Sequence, residues 1–265
     1  MSTIRPSSLQ VNTTGCALYL LGSIRLCTQT RGFISQSCWA DDRQQAIFIY
    51  LALNRDHVVS ATELQQQFWP YLPAEEVEWA VTAVSQTVAS ILEIPHPILH
   101  LKEGYQLLAN IALWVDSEEF DALLSQANQE ATGERKRELL QQAVNLYQDD
   151  FLNEISFNQK WIISHRARLQ QGYLTALQQL SALHEQVGDL EMAQSVYLNA
   201  LKAKPFSVGN GRSFLHLVQT HSSPDQTLRH CQRLISLLQN ELEILLDEYT
   251  EPLVASEQPQ ERRKG

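Results

Sequence analysis

The chain has 265 residues, a length that suits two domains, because one domain usually holds about 100 to 150 residues. With 44% hydrophobic and 19% charged residues, its composition is that of a folded globular protein and excludes a disordered chain or a membrane protein. The formal net charge is −10. This charge disfavours broad electrostatic attraction to nucleic acid or anionic lipid, which normally goes with an excess of Lys and Arg.

Targeting and cofactor signals are absent from the sequence. The polar residues 1–15 contain no apolar stretch of the roughly 7 to 15 residues that a secretory signal needs. The longest apolar run, residues 46–53, is far shorter than the about 20 residues of a membrane-spanning helix. The cysteines form no CxxC pair and no zinc-type cluster with histidine; they are Cys16, Cys27, Cys38 and Cys231. We therefore expect a cytoplasmic protein with no metal and no other cofactor.

Strand and helix signals alternate in the first part of the chain. Residues 17–27 are rich in Leu, Ile and Tyr around one glycine, which predicts a pair of strands or a bulged strand. Asp41 and Asp42 precede apolar residues at helical spacing and predict a first buried helix. Ser60 followed by Glu63 is a capping box, which predicts a second, short helix that ends at the prolines after it.

A third helix is predicted from about Ala74 to Leu92, with two different faces. The apolar face, which must turn to the core, consists of Val77, Val81, Val84, Val88 and Ile91. The outward face carries Trp79, Thr82, Gln86 and Ser90. After this helix, two short apolar runs separated by residues 102–104 predict a β-hairpin. Strands, three helices and a hairpin in this order predict a winged helix, whose third helix normally enters the major groove.

From Trp114 onward the signals are wholly helical, beginning with Asp116 and Glu119 as an N-terminal cap pair. A helix is predicted over residues 134–152, and a pair of helices of tetratricopeptide type over residues 173–205. In that pair Gly188 and Asp189 separate the two helices, and the residues at repeat spacing are Ala193, Tyr197, Ala200 and Pro205. Further helices are predicted at 213–220 and 226–246.

The sequence therefore predicts a mainly α protein with a small β component. Its predicted parts are a disordered arm (1–16), a winged-helix domain (17–112), a tetratricopeptide-like helical domain (113–255) and a disordered tail (256–265).

Several segments together resemble the antibiotic regulatory protein family of transcriptional activators. They are LGSIRL, AIFIYLALNRDHVVSATELQQQFWP, WVDSEEFDALL, AVNLYQDDFL and the helical pair of residues 173–205. The resemblance covers about residues 17–254. It implies a winged helix that binds promoter DNA, followed by a bacterial transcriptional activator domain that contacts other copies of the protein or the transcription machinery.

The charge distribution conflicts with DNA binding. A protein that binds DNA needs cations to neutralise phosphates, yet residues 56–101 contain no Lys or Arg. The same span contains six acidic residues, namely Asp56, Glu63, Glu75, Glu76, Glu78 and Glu93. One interpretation is that Thr82, Gln86 and Ser90 contact bases while cations elsewhere hold phosphates. Those cations are Arg25, Arg31, Arg43, Arg55 and Lys102.

The alternative interpretation is a non-DNA-binding adaptor, whose acidic winged helix and helical repeats bind other proteins. In both cases the candidate contact residues are Trp79, Thr82, Gln86, Ser90, Arg43, Arg55 and Lys102. A third possibility for Trp79 is that its ring packs against a neighbouring helix or the second domain. The helical domain also allows a homodimer. Catalytic motifs such as GxxxxGK, GxSxG and HExxH are absent, so we expect no enzyme.

Overall fold

The computed structural model describes residues 15–70, 74–108, 111–130, 133–155, 159–189, 191–193 and 195–196, with four single positions at 232, 235, 236 and 239. The chain divides into two compact units. The first consists of Met1–Gln129 and Gln142–Tyr173, and the second of Glu130–Gln141 and Leu174–Gly265. None of the described helices has the length and apolar character needed to cross a membrane.

The described elements follow the predicted order of strands, three helices and a hairpin, and then helices. They are β1 (Cys16–Tyr19), β2 (Arg25–Thr28), β3 (Gly32–Phe33), a 3-10 helix (Gln36–Cys38), α1 (Asp42–Leu53), α2 (Ala61–Phe68), α3 (Ala74–Leu92), β4 (Ile98–Leu101), β5 (Gly104–Leu107), β6 (Leu113–Val115), α4 (Asp116–Gln129), α5 (Glu134–Leu146) and α6 (Lys160–Gln186). The predictions of a strand pair, of α1, α2 and α3, and of a terminal hairpin are confirmed.

A four-stranded sheet in the order β3-β2-β1-β6 lies at the start of the first unit. β1 pairs antiparallel with β2 and parallel with β6. The prediction that the signals are wholly helical from Trp114 onward was wrong for Trp114, which lies in β6 opposite Ala17, whereas α4 begins at Asp116 as predicted. Such a short strand forms only because the exposed edge of β1 is available to pair with it. Cys16, which the sequence assigned to a disordered arm, begins β1 and is buried.

Side-chain caps begin α1 and α2 as the sequence predicts. The Asp41 carboxylate accepts a hydrogen bond from the Gln44 backbone N–H at 2.7 Å, and the Ser60 hydroxyl accepts one from the Glu63 backbone N–H at 3.1 Å. The Glu63 carboxylate accepts a hydrogen bond from the Tyr50 hydroxyl instead of returning to the cap. Burial and this carboxylate both raise the pKa of Tyr50. The capping-box glutamate therefore also fastens α2 to α1.

Asp116 has a different role from the predicted cap. Its carboxylate is buried and accepts hydrogen bonds from the backbone N–H groups of Leu20, at 2.8 and 2.9 Å, and of Leu21, at 3.0 Å. Burial raises the pKa of Asp116 to about 6, although these N–H groups favour the charged form. Asp116 therefore fastens the start of α4 to the chain that follows β1, and no described contact places Glu119 in a cap with it.

The segment 142–173 packs within the first unit together with the winged helix. The Leu152 backbone N–H donates to the Leu20 carbonyl at 3.0 Å. The Trp161 ring lies 5.1 Å from the Tyr50 ring and 6.4 Å from the Phe68 ring, centroid to centroid. The core of the winged helix therefore extends into residues that lie beyond the predicted boundary at 112.

α5 ends earlier than predicted, at Leu146 rather than at residue 152. Polar side chains after it bond to nearby groups instead of continuing the helix, since the Asp149 carboxylate accepts hydrogen bonds from the Asp150 backbone N–H and the Asn153 side chain. α6 runs without a break from Lys160 to Gln186, so the first helix of the predicted pair begins earlier than residue 173.

In the second unit, the predicted break after α6 is confirmed. Gly188 has φ +77°, and the Gly188 and Asp189 backbone N–H groups donate to the carbonyls of Glu185 and His184, the pattern of a Schellman motif. Ala193 is fully buried. The predicted positions 197, 200 and 205, the arm before residue 15, the tail 256–265 and the helix at 213–220 lie outside the described residues. Within the predicted helix 226–246, positions 232, 235, 236 and 239 are helical.

Candidate nucleic-acid interface

The outward face of α3, formed by Trp79, Thr82, Gln86 and Ser90, is exposed along its whole length. Its orientation follows from the opposite face, where Val77, Val81, Val84, Val88 and Ile91 are each no more than 2% exposed. The helical wheel therefore predicted both faces correctly. Trp79 is 75% exposed, so the possibility that its ring packs within the first unit is wrong.

Neutral polar groups dominate the middle of this face. The Thr82 hydroxyl donates to the Glu78 carbonyl one turn earlier, at 2.8 Å, which leaves its oxygen able to accept a hydrogen bond from a ligand. Gln86 and Ser90 are exposed on the following turns. An amide and two hydroxyls in a row are suited to hydrogen bonding with base edges or with a peptide backbone.

The surroundings of the outward face are acidic. Glu76 and Glu78 are exposed near the start of α3, and Glu93 follows its end. Glu93 forms an ion pair with Arg31, whose Nε and Nη2 lie 3.0 and 2.9 Å from the carboxylate. Arg31 is therefore already neutralised, and α3 contains no cation of its own. Carboxylates near the N-terminus of a helix repel the phosphates that this end would otherwise attract.

Arg55 is not available to hold a phosphate. Its guanidinium makes a bidentate ion pair with Glu118 in α4, at 2.5 and 2.7 Å, and also donates to the Ala52 carbonyl at 2.9 Å. The hydrogen bonds to Glu118 raise the pKa of Arg55, so the guanidinium stays charged. Bidentate pairing of this kind is strong and directional. Arg55 thus fastens α4 to the end of α1.

The other candidate cations lie at separate places in the first unit. Arg43 is exposed near the start of α1, with its guanidinium 5.9 Å from the centre of the Trp69 ring. Arg25 lies in β2, over the rings of Tyr19 and Phe33. Lys102 is exposed at the turn of the β4-β5 hairpin. Within the described residues, no hydrogen bond, ion pair or ring contact joins Arg43, Arg55 or Lys102 to the outward face of α3.

The hairpin that carries Lys102 is held close to the start of α2. Val59 and Tyr105 form an antiparallel bridge with two backbone hydrogen bonds of 2.8 Å. Gly104 has φ +153° and lies against the Val59 carbonyl, where an added Cβ would overlap the carbonyl oxygen. The hairpin is thus a wing with a fixed base, and its exposed tip carries Leu99, His100, Leu101, Lys102 and Glu103.

Sequence reasoning missed the ion pair between Arg55 and Glu118 and the contacts of Asp116. Asp116 and Glu118 both stand in the first turn of a predicted helix, where acidic residues ordinarily serve the helix N-terminus. No local pattern indicates partners that lie 63 and 96 residues away.

The described residues contain no group of three or more His, Cys, Asp or Glu side chains that could hold a metal ion. The chemistry available at the candidate interface is therefore hydrogen bonding by neutral side chains, one lysine at the wing tip, apolar contact through Trp79, and the negative charge of the surrounding glutamates.

The chain matches the family model of the bacterial transcriptional activator domain over residues 115–253, slightly more than half of its length. Its structure is similar to that of Mycobacterium tuberculosis EmbR, determined in complex with a low-affinity phosphopeptide, with a TM-score of 0.66 and 14% sequence identity. The similarity covers 86% of this chain and 61% of the EmbR chain, and supports a common fold of winged helix and helical domain. No curated protein matches the chain in sequence. The chain therefore belongs to the bacterial transcriptional activator domain family.

Proposed function

We propose that this protein is a transcriptional regulator of the antibiotic regulatory protein type, that it binds double-stranded promoter DNA through the outward face of α3, and that it acts in the cytoplasm. The observation that carries the proposal is the exposed row of Thr82, Gln86 and Ser90, on the helix that normally enters the major groove of a winged helix. The Gln86 amide is suited to adenine, and hydroxyls accept or donate to several base edges. Lys102 and Arg43 are the cations proposed to contact phosphates.

Electrostatics limits the strength of this binding. Arg31 and Arg55 are paired with glutamates, and Arg25 belongs to the N-terminal sheet rather than to the helices or the wing, so two of the candidate cations are left for phosphates. Each neutralised phosphate contributes about −0.9 to the slope of log affinity against log salt concentration. Two contacts would therefore give a slope of about −2, far weaker than that of an arginine-rich winged helix. Assembly through the helical domain, including a homodimer, would double the number of contacts.

Fluorescence anisotropy with random-sequence duplex DNA at two salt concentrations tests this proposal, with a charge-rich winged-helix activator as positive control. Lys102→Gln should reduce the slope by about 0.9, because it removes one phosphate contact. Lys136→Gln is the matched control, since it makes the same charge change in the helical domain and should leave the slope unchanged. Gln86→Ala should weaken binding to a selected site more than binding to random sequence.

The second candidate function is that of an adaptor whose winged helix and helical repeats bind proteins. The absence of any Lys or Arg from residue 56 to 101, together with the 75% exposure of Trp79, favours it. No duplex binding at low salt would favour the adaptor over the DNA-binding protein. Affinity purification with wild type and with Trp79→Ala would then compare partners that depend on this ring. Sedimentation measures self-association in either case.

A further inference from the structure

We propose that the outer face of the four-stranded sheet, on which Arg25 and Phe33 are exposed, is a docking surface for an acidic segment of another protein. This aromatic sheet face consists of Ala17, Tyr19, Arg25, Cys27, Phe33 and Trp114. The proposal goes beyond the function proposed for α3 and does not depend on whether α3 binds DNA or protein.

Strand register places these side chains on one side of the sheet. Trp114 pairs with Ala17, Ala17 with Cys27, and Cys27 with Phe33, so these residues form one row across four strands. Residues directly opposite in neighbouring strands point to the same face, and so do residues two apart in one strand. The row therefore has small side chains in its middle and aromatic rings at its ends.

Tyr19 and Arg25 form the neighbouring row of the same face, because they are paired with each other and lie two residues from Ala17 and Cys27. The Tyr19 ring centre lies 5.4 Å from that of Trp114 and 6.3 Å from that of Phe33. The Tyr19 ring therefore lies close to both of the other rings, and together they form an aromatic patch against which apolar side chains of a partner can pack.

The two faces of the sheet differ in burial. Leu18, Leu26 and Val115 on the inner face are at most 4% exposed, whereas Phe33 on the outer face is 64% exposed. The outer face of a sheet at a protein surface ordinarily carries polar side chains. Among the described large apolar side chains, only Trp79 is more exposed than Phe33. A contiguous aromatic surface of this kind is typical of an interaction site.

Charge indicates the kind of partner. The Arg25 guanidinium lies 5.0 Å from the Tyr19 ring centre and 5.8 Å from that of Phe33, a cation–π geometry that holds it in place. Within the described residues Arg25 forms no ion pair, whereas Arg55 and Arg168 are paired with carboxylates. A fixed arginine beside tyrosine and tryptophan is the combination most enriched at the energetic centres of protein interfaces. A carboxylate of the partner would complete the pairing of Arg25.

Two other occupants fit less well. A second copy of this chain that docked through the same face would bring Arg25 opposite Arg25, so it would supply no carboxylate for either guanidinium. A single-stranded nucleic acid needs several cations along its backbone and open ring faces for stacking, whereas the aromatic sheet face offers one arginine, which lies over the rings of both Tyr19 and Phe33. An acidic, partly apolar protein segment could pair with Arg25 and pack against the aromatic rings.

The test uses the full-length protein and a fluorescent synthetic peptide that alternates Asp with Phe and Leu. The wild type should bind it, and a peptide with Lys in place of Asp should not bind. Phe33→Ala and Arg25→Gln should each weaken binding at least about tenfold, the effect expected for an energetic centre. Arg43→Gln and Trp79→Ala are matched controls, an exposed arginine stacked on one ring and an exposed ring on α3, and should change the affinity less than about twofold.

Several results would overturn the proposal. Equal binding of the acidic peptide by the wild type and both variants would mean that this face is not the acidic docking site. No binding by any of them up to the solubility limit would mean the same. Binding of oligo-dT that Phe33→Ala abolishes, without peptide binding, would assign the face to nucleic acid. Self-association abolished by Phe33→Ala would assign it to a second copy. If the Phe33→Ala variant does not fold, peptide binding by the Arg25→Gln variant decides the test. Duplex binding through α3 should be the same in Arg25→Gln as in the wild type.

Discussion

Replacing Asp116 with Asn should change how the stability of the first unit depends on pH. In the folded protein burial raises the pKa of Asp116 to about 6, compared with 3.8 for an unperturbed Asp. Between these two values the folded state binds more protons at this site than the unfolded state. The free energy of unfolding of the wild type therefore falls as pH rises through this window. Asn does not titrate, so the variant lacks this contribution.

The size of the effect follows from the pKa difference. A difference of about 2 pKa units corresponds to about 3 kcal/mol between the acidic and the alkaline side of the window. About 2 kcal/mol of this falls between about pH 4 and pH 7. Over that interval the wild type should lose about 2 kcal/mol relative to Asp116→Asn. A constant offset is also expected, because the Asn amide N–H₂ group would face the backbone N–H groups of Leu20 and Leu21.

Urea unfolding followed by tryptophan fluorescence is the appropriate assay. The tryptophans all belong to the first unit and are Trp39, Trp69, Trp79, Trp114 and Trp161. Asp56→Asn is a control of opposite sign, because the hydrogen bond from His57 lowers the pKa of Asp56. A difference between wild type and Asp116→Asn that stays constant with pH, or that grows in favour of the wild type, would refute the reasoning.

Four further substitutions test other contacts of the first unit. Arg55→Gln and Glu118→Gln should each cost about 1 to 2 kcal/mol, since each leaves a half-buried charge unpaired; full additivity in the double variant would contradict the pairing. Gly104→Ala should cost at least about 3 kcal/mol, because the new Cβ would overlap the Val59 carbonyl; an unchanged melting temperature would argue against this base of the wing. Trp79→Ala should change the free energy of unfolding by less than about 0.5 kcal/mol, since the ring is 75% exposed; a larger loss in thermal unfolding would mean that the ring is packed.

The winged helix could be predicted from sequence because its signals are local. Valines at helical spacing fix the buried face of α3, and the side chains of Asp41 and Ser60 begin α1 and α2 as expected. β6 could not be predicted in this way. It has three residues, runs directly into α4, and exists because β1, about a hundred residues earlier in the chain, has an unpaired edge.

The sequence predicted which side chains of the candidate site are exposed, but it did not predict which cations are free to contact a ligand. The wheel placed Trp79, Thr82, Gln86 and Ser90 on the outward face, and all are exposed. The sequence also offered Arg31 and Arg55 as phosphate contacts, but their glutamate partners come from distant segments. A cation in a sequence is available to a ligand only if folding brings no carboxylate to it, and that depends on tertiary structure rather than on local pattern.

The contacts of Leu20 and Leu21 with residues 116–152 bear on how such regulators can be recombined. A fragment that stops at residue 112 would lose the strand beside β1 and leave two buried N–H groups without acceptors. It would also lack Phe151, which is fully buried in the first unit, and would therefore expose the core around Leu21 that Phe151 covers. Exchange of the winged helix between relatives would therefore succeed only if β6, Asp116 and the segment through Tyr173 are exchanged together with it. In this chain the segment that must be exchanged as one piece is larger than the winged helix itself.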